Sequence, residues 1–301
     1  MTAQDIHFET EIREYTPLDA NYPERLRCID KPPKTLYARG ALPPDNEPAV
    51  AIIGARDGSD YGQEVARNFG RQLARNGVNI ISGMAYGIDS AAQWGAIEGG
   101  GKTYAVFGCG LNICYPPSNF RLYEEILAHN GAVLSEQPLN AKPLGSYFAT
   151  RNRIIAGLSD AVIVIEAKEH SGTSITVGDA LQQGKQIFAL PGRITDRLSF
   201  GCNRLIREGA DILTSVEDVL EYLHLSKQKE QICITRNPQN LSKMQKKVYQ
   251  ALQEDALHQD YLLERTALSV PDLIMSLTEL EILGYCESPK TGYYRRRSRL
   301  L

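Results

Sequence analysis

The sequence predicts an α/β fold, a doubly wound parallel sheet with a smaller domain after it, and three observations carry this. Short apolar runs rich in Val, Ile and Ala recur between residues 49 and 190, each stopped by small or turn-forming residues. Each run is followed by a stretch with helical apolar spacing, and this alternation is what parallel sheets require. Beyond residue 240 the pattern changes to three short helices and a hairpin.

The first run, residues 49–53, breaks into Gly54-Ala55-Arg56-Asp57-Gly58-Ser59-Asp60-Tyr61-Gly62. Val65, Ala66, Phe69, Leu73 and Ala74 then give a helix over 63–76. Backbone N–H groups at a strand exit and at the following helix N-terminus favour anions. Arg56, with the hydroxyls of Ser59 and Tyr61, suits phosphate; the same loop also reads as a turn with incidental polar groups. Gly77 is expected to cap the helix, and a second strand over 78–81 ends at Ser82-Gly83. A small-residue loop through Asp89 leads into a helix over 90–98.

The third strand, 103–107, exits at Gly108-Cys109-Gly110; a helix over 120–130 and a fourth strand over 132–135 follow. A loop over 137–147 holds Lys142 and precedes Phe148-Ala149-Thr150-Arg151-Asn152-Arg153, expected to open a helix through Leu158. Cations at a helix start oppose the macrodipole, and a bound anion there would relieve the conflict. Strand five is expected over 161–166, followed by Lys168-Glu169-His170-Ser171-Gly172-Thr173 and a helix to Gln183. Strand six is expected over 186–190, before Pro191-Gly192-Arg193, and closing helices over 203–210 and 216–222 complete the domain.

At 301 residues and 43% hydrophobic content the chain can bury a sizeable core. It shows no apolar run long enough to span a bilayer and no signal-peptide pattern in its first residues, so no membrane partner is expected. The net charge of -3, from 33 Lys+Arg against 36 Asp+Glu, means that any nucleic-acid binding rests on a local patch. Such a patch is legible: Arg56, Lys142, Arg151, Arg153, Lys168 and Arg193 all follow strands, with Tyr61, Tyr147 and Phe148 among them. Cations tracking phosphates and rings stacking on bases are what single-stranded nucleic acid needs. Solvated charge on loops is the other reading.

Several enzymatic or cofactor patterns fail. The first loop is not G-x-G-x-x-G, and no acid ends the second strand to hold a ribose. Gly101-Lys102-Thr103 resembles the end of a phosphate-binding loop, but Ala96 replaces the first glycine and the segment enters a strand. Glu166, His170 and Ser171 lack the elbow of a nucleophilic serine. The six cysteines and five histidines show no metal-ligand spacing. No catalytic residue, cofactor or metal is therefore expected.

Residues 1–45 are expected to form an arm packed on the main domain, 46–222 the sheet domain, 223–240 a polar linker and 241–301 a second domain. In that domain Met244, Val248, Ala251 and Leu252 mark one helix, 261–266 a second, and Ser269, Pro271, Leu273, Leu277 and Leu280 a third. A hairpin over 285–296 completes a winged-helix pattern. Its third helix carries Asp272, Glu279 and Glu281 and no Lys or Arg, which is poor chemistry for a phosphate-lined groove and favours a protein-contact role. Arg295, Arg296, Arg297 and Arg299 remain available for non-specific phosphate contact.

The ordered blocks Gly54-Ala55-Arg56, Ser82-Gly83-Met84-Ala85-Tyr86-Gly87-Ile88-Asp89, Gly108-Cys109-Gly110, Ser135-Glu136, Arg151 to Ser159, Ser171-Gly172-Thr173 and Pro191-Gly192 resemble the DNA-processing protein family DprA, also called Smf. The resemblance covers residues 18–222 and implies an extended Rossmann-like domain, often with a winged-helix module after it. It further implies a cytoplasmic, non-enzymatic homodimer that binds and protects single-stranded DNA and loads RecA recombinase during natural transformation. Carried over by position, the family's DNA pocket falls on Gly54, Arg56, Ser59, Tyr61 and Gly62, on Ser82 and Gly83, on Phe148, Arg151, Asn152 and Arg153, and on Ser171 and Gly172; Lys142 and Lys168 join it from the basic patch.

Two positions depart from the family pattern. His170 stands where a basic residue is common, and Ser174 where an apolar one is usual. The arm is also too short for the amino-terminal helical domain that such proteins often carry. A competing class, phosphoribohydrolases acting on nucleoside monophosphates, uses Gly-Gly-x-Gly-Thr-x-x-Glu; here Thr176 takes the glutamate position. A sequence-specific repressor would rest on the second domain alone.

Overall fold

The computed structural model describes residues 11–225 and 241–296, save His170, Glu254 and Gly284. The chain forms two compact units, Met1–Ser226 and Lys227–Leu301.

The first unit begins with β1 (Ile12–Tyr15), α1 (Glu24–Arg27) and β2 (Leu36–Gly40). It continues through β3 (Ala49–Ile53), α2 (Asp60–Arg75), β4 (Asn79–Ser82), α3 (Ile88–Glu98), β5 (Thr103–Phe107), α4 (Phe120–Ala128) and β6 (Ala132–Ser135). The second half runs α5 (Gly145–Gly157), β7 (Ala161–Val164), α6 (Thr173–Gln182), β8 (Gln186–Ala189), α7 (Phe200–Arg207), β9 (Asp211–Ile212) and α8 (Val216–Tyr222).

The sheet order is β1-β2-β6-β5-β4-β3-β7-β8-β9. From β6 to β9 every neighbouring pair is parallel. The chain winds outward from β3 through β4, β5 and β6, then returns to place β7 on the other side of β3. That reversal makes β3 and β7 the topological switch point, outside whose carboxyl ends α/β sheets take their ligands.

Both faces of the sheet are covered, which is why the strands read as unbroken apolar runs. Ala51 and Ile53 face one core with Leu134, Ile154, Val162 and Val164. Val50 and Ile52 face the other with Phe69, Leu73, Ile80 and Ile88. The amino-terminal stretch does more than pack on the domain: β2 pairs antiparallel with β6, and β1 with β2, lengthening the sheet at that edge. Both strands are short and carry charged residues, so periodicity alone does not mark them. Tyr22 and Leu26 are buried beneath the sheet, and Arg25 donates to the Leu158 carbonyl at 2.8 Å.

One expected boundary is corrected. The helix after the long loop starts at Gly145, two turns before the arginines expected at its N-terminus. Arg151 and Arg153 lie in mid-helix, so the macrodipole conflict does not arise. Gly145, with Leu144 at the N-cap and no side-chain cap, hid the true start.

The second unit contains α9 (Lys243–Ala251), β10 (Leu257–His258), α10 (Gln259–Thr266), α11 (Val270–Ile282), β11 (Cys286–Lys290) and β12 (Tyr293–Arg296). Ser269 caps α11 by accepting from the Asp272 amide. Val248, Leu262, Leu273, Leu277 and Leu280 form its core, and β10-β12-β11 makes the wing sheet. Among the described residues no helix is long and apolar enough to cross a membrane.

Candidate nucleic-acid interface

At the switch point the exits of β3 and β7 and the side of α5 enclose a cleft of about 420 Å³. The β3 exit supplies Gly54, Arg56 and Asp57; the β7 exit supplies Lys168, Ser171 and Gly172, leading into the first turn of α6. Helix α5 contributes Phe148, Arg151, Asn152 and Ile155. Their spacing, i, i+3, i+4 and i+7, places them on one helical face.

The Arg56 guanidinium lies 5.6 Å from the centre of the Phe148 ring, and that of Arg151 lies 5.8 Å from it. These cations differ in surroundings. Arg151 is buried and donates to the carbonyls of Gly83 and Val106 beside the carboxylate of Asp89. Burial brings its pKa down to about 10, against the opposing pull of Asp89. Arg56 is exposed and has neither an ion pair nor a hydrogen bond from its side chain among the described residues.

Asp89 accepts from the Gly83 amide at 3.0 Å, and its burial raises its pKa against the influence of Arg151. Asp89 thus ties the β4 exit to α3, and Arg151 ties it to α5. Gly87 brings the same loop against the first: its φ is +73°, and a Cβ there would strike the carbonyls of Ala55 and Arg56. On the opposite wall Lys168 is ion-paired with Asp57, and this hydrogen bond lowers the Asp57 pKa. A smaller hollow of about 70 Å³ shares Arg56, Phe148 and Arg151 with the cleft and adds Gly83, Tyr86 and Tyr115.

Gly54, Arg56, Phe148, Arg151, Asn152, Lys168, Ser171 and Gly172 thus meet in one place, with Gly83 beside them. The other expected contacts do not line the cleft. Ser59 Oγ lies 2.5 Å from the buried Glu166 carboxylate, to which it donates, and accepts from the Gly62 amide, so it fastens the loop to β7 and caps α2. Gly62 leaves room for that carboxylate, which a Cβ would strike. Ser82 is buried and donates to the Ile52 carbonyl at 2.7 Å. Tyr61 is exposed on α2, and Lys142 is exposed in the loop before α5.

Arg153 stands apart from the cleft. It pairs with Glu136 at 2.6 Å, both side chains only 14% exposed, and donates to the Lys31 carbonyl on another side of α5 from the cleft. Adjacency in sequence grouped it with Arg151; helical geometry separates them.

Sequence reasoning missed Asp57, Tyr86, Tyr115 and the threonines of α6. Thr176, at the position where phosphoribohydrolases have glutamate, is buried and lines the cleft, so that wall presents a hydroxyl in place of a carboxylate. Glu166, considered with His170 and Ser171 as a hydrolytic group, has its carboxylate taken by Ser59; His170 lies outside the described residues. Among the described residues no cluster of side chains is suited to hold a metal.

Residues 13–224 match the family model of DNA recombination-mediator protein A, and residues 235–289 match that of the DprA winged helix domain. Protein Smf of Escherichia coli is 36% identical over 93% of this chain and 77% of its own length. DNA processing protein DprA of Streptococcus pneumoniae is 42% identical over 72% of this chain and 77% of its own. The crystal structure of the S. pneumoniae protein superposes with a TM-score of 0.65, covering 70% of this chain and 74% of that one. A structure of Helicobacter pylori DNA processing protein A, described for its single-stranded DNA binding mode, is 32% identical with a TM-score of 0.64, covering 72% and 97%. With its sheet domain and its winged helix both accounted for, the chain belongs to the DNA recombination-mediator protein A family, known also as DprA and Smf.

Proposed function

We propose that this chain binds single-stranded DNA along the carboxyl edge of its sheet, with the cleft at β3 and β7 as the phosphate-binding centre. The observation that carries this is Arg56: an exposed guanidinium held over Phe148, without a carboxylate partner among the described residues. A phosphate accepts two charge-assisted hydrogen bonds from such a fork, and the amides entering α6 favour the same anion. Tyr86 and Tyr115, both exposed, offer ring faces to bases. The single-stranded DNA binding of the H. pylori relative supports the same reading.

In this proposal the protein acts as a cytoplasmic homodimer that protects incoming DNA and loads RecA recombinase during natural transformation, without a catalytic step or a cofactor. Thr176 in place of a carboxylate supports a binding role over nucleotide hydrolysis. A fluorescence-anisotropy titration with oligothymidylate tests the binding, and absence of salt-dependent association below about 100 mM salt overturns it. Sedimentation of the free protein reports the dimer, and RecA assembly on single-stranded DNA with and without the chain reports the loading. Free base released from a nucleoside monophosphate would restore the enzymatic alternative.

A further inference from the structure

The outward face of α11 has a composition unlike that of a nucleic-acid-reading helix. Leu273, Leu277 and Leu280 point into the core of the second unit and are buried. At 100° per residue the opposite arc carries Pro271, Ile274, Met275, Thr278 and Ile282. Of these, Ile274 is 45% exposed, Met275 52% and Ile282 81%. Apolar side chains scattered singly over a surface are ordinary, but a continuous stripe of them along one helix marks an interaction site. A helix apolar on both faces is covered on both.

Charge selects the occupant. Asp272 and Glu279 border the stripe on one side and Glu281 on the other, and the helix has no Lys or Arg. A DNA groove would set these carboxylates against phosphates. A second copy of the same face would set them against each other. A helix with apolar residues on one face and cations beside them satisfies both parts of the surface. We infer that α11 is a docking site for a basic amphipathic helix of another protein, its apolar residues on the stripe of Ile274, Met275 and Ile282 and its Lys or Arg against Asp272, Glu279 and Glu281. This inference does not depend on the DNA reading of the cleft.

The test uses the full chain and a fluorescent synthetic Leu/Lys peptide with helical spacing, beside a Leu/Glu peptide of identical apolar pattern. The Leu/Lys peptide should bind and the Leu/Glu peptide should not. The double variant Ile274→Gln/Met275→Gln should weaken binding by about tenfold. Glu279→Gln/Glu281→Gln should weaken it severalfold and reduce its salt dependence. These side chains are exposed, so melting should not change, save that Glu279 accepts from Gln245 at 2.7 Å and Glu281→Gln alone then reads the charge; should the first variant unfold, Ile282→Gln reads the same stripe from its other end. Equal binding of the two peptides removes the charge argument and overturns the proposal. So does Leu/Lys binding that is indifferent to both stripe variants, or duplex DNA binding that the stripe variants abolish while neither peptide binds.

Discussion

Arg56 and Arg151 approach the ring of Phe148 at 5.6 and 5.8 Å, yet only Arg151 has its charge answered from within the protein. The two guanidiniums repel, and Arg56 contributes to the lowering of the Arg151 pKa. An anion bound between the loop and α5 removes that repulsion. Arg56→Ala should therefore weaken oligothymidylate binding without lowering the melting temperature. Arg56→Lys should restore it in part, because lysine returns the charge without the fork. The slope of log affinity against log salt should become shallower by about 0.7, the increment for one phosphate on a single strand. Intact affinity in folded Arg56→Ala protein would sink the assignment.

Arg151 is expected to behave oppositely. Its removal leaves the buried Asp89 without its cation and two carbonyls without their donor. Arg151→Met should destabilise the first unit by about 1–3 kcal/mol for each buried carbonyl left without its donor. Urea denaturation followed by Tyr fluorescence measures this. A variant as stable as the parent would place the Arg151 contacts among the dispensable ones.

Ser59 and Glu166 shape the loop from behind. Glu166→Ala strips the acceptor from both the Ser59 amide and hydroxyl, and should cost about 1–3 kcal/mol, the penalty for a buried group left unsatisfied. Affinity should fall with it, since the Arg56 loop loses its anchor. Ser59→Ala should show a smaller stability loss and near-parental affinity; a large affinity loss without destabilisation would return Ser59 to direct DNA contact.

Arg153→Ala is the corresponding control on α5. Its largely buried pairing with Glu136 should make the loss one of stability, about 1–3 kcal/mol, with binding and its salt slope unchanged. A flatter salt slope in this variant would place Arg153 on the phosphate path.

Burial pushes the thiols of Cys109, Cys114, Cys202 and Cys286 up to about 12, because a low-dielectric surrounding disfavours the thiolate. In the native protein a disulfide reagent at neutral pH should label Cys28, which is exposed, and spare these four until denaturant is added. A Cys28→Ser/Cys233→Ser background isolates the buried set. Rapid labelling in that background would mean that the cores open easily.

The sequence by itself determined the alternation of strands and helices, the glycine-bearing exits of β3, β4 and β5, and the winged-helix order of the second unit. These are legible because burial on one or two faces imposes a local period, and because helix caps and strand exits use a small vocabulary of residues. It also named Gly54, Arg56, Phe148, Arg151, Asn152, Lys168, Ser171 and Gly172, which the fold brings to one cleft. Only the tertiary structure decided what each polar side chain touches. Ser59 meets Glu166 across 107 positions and Arg153 donates to Lys31 across 122, so no window of sequence reports whether a hydroxyl or guanidinium faces solvent or another strand. The same holds for β1 and β2, whose place comes from pairing with distant partners, and for α11, whose outward apolar stripe becomes distinct from its core stripe only once the rest of the unit has covered one face. Local pattern is written along the chain; partnership and exposure are set by the packing of residues that are far apart along it.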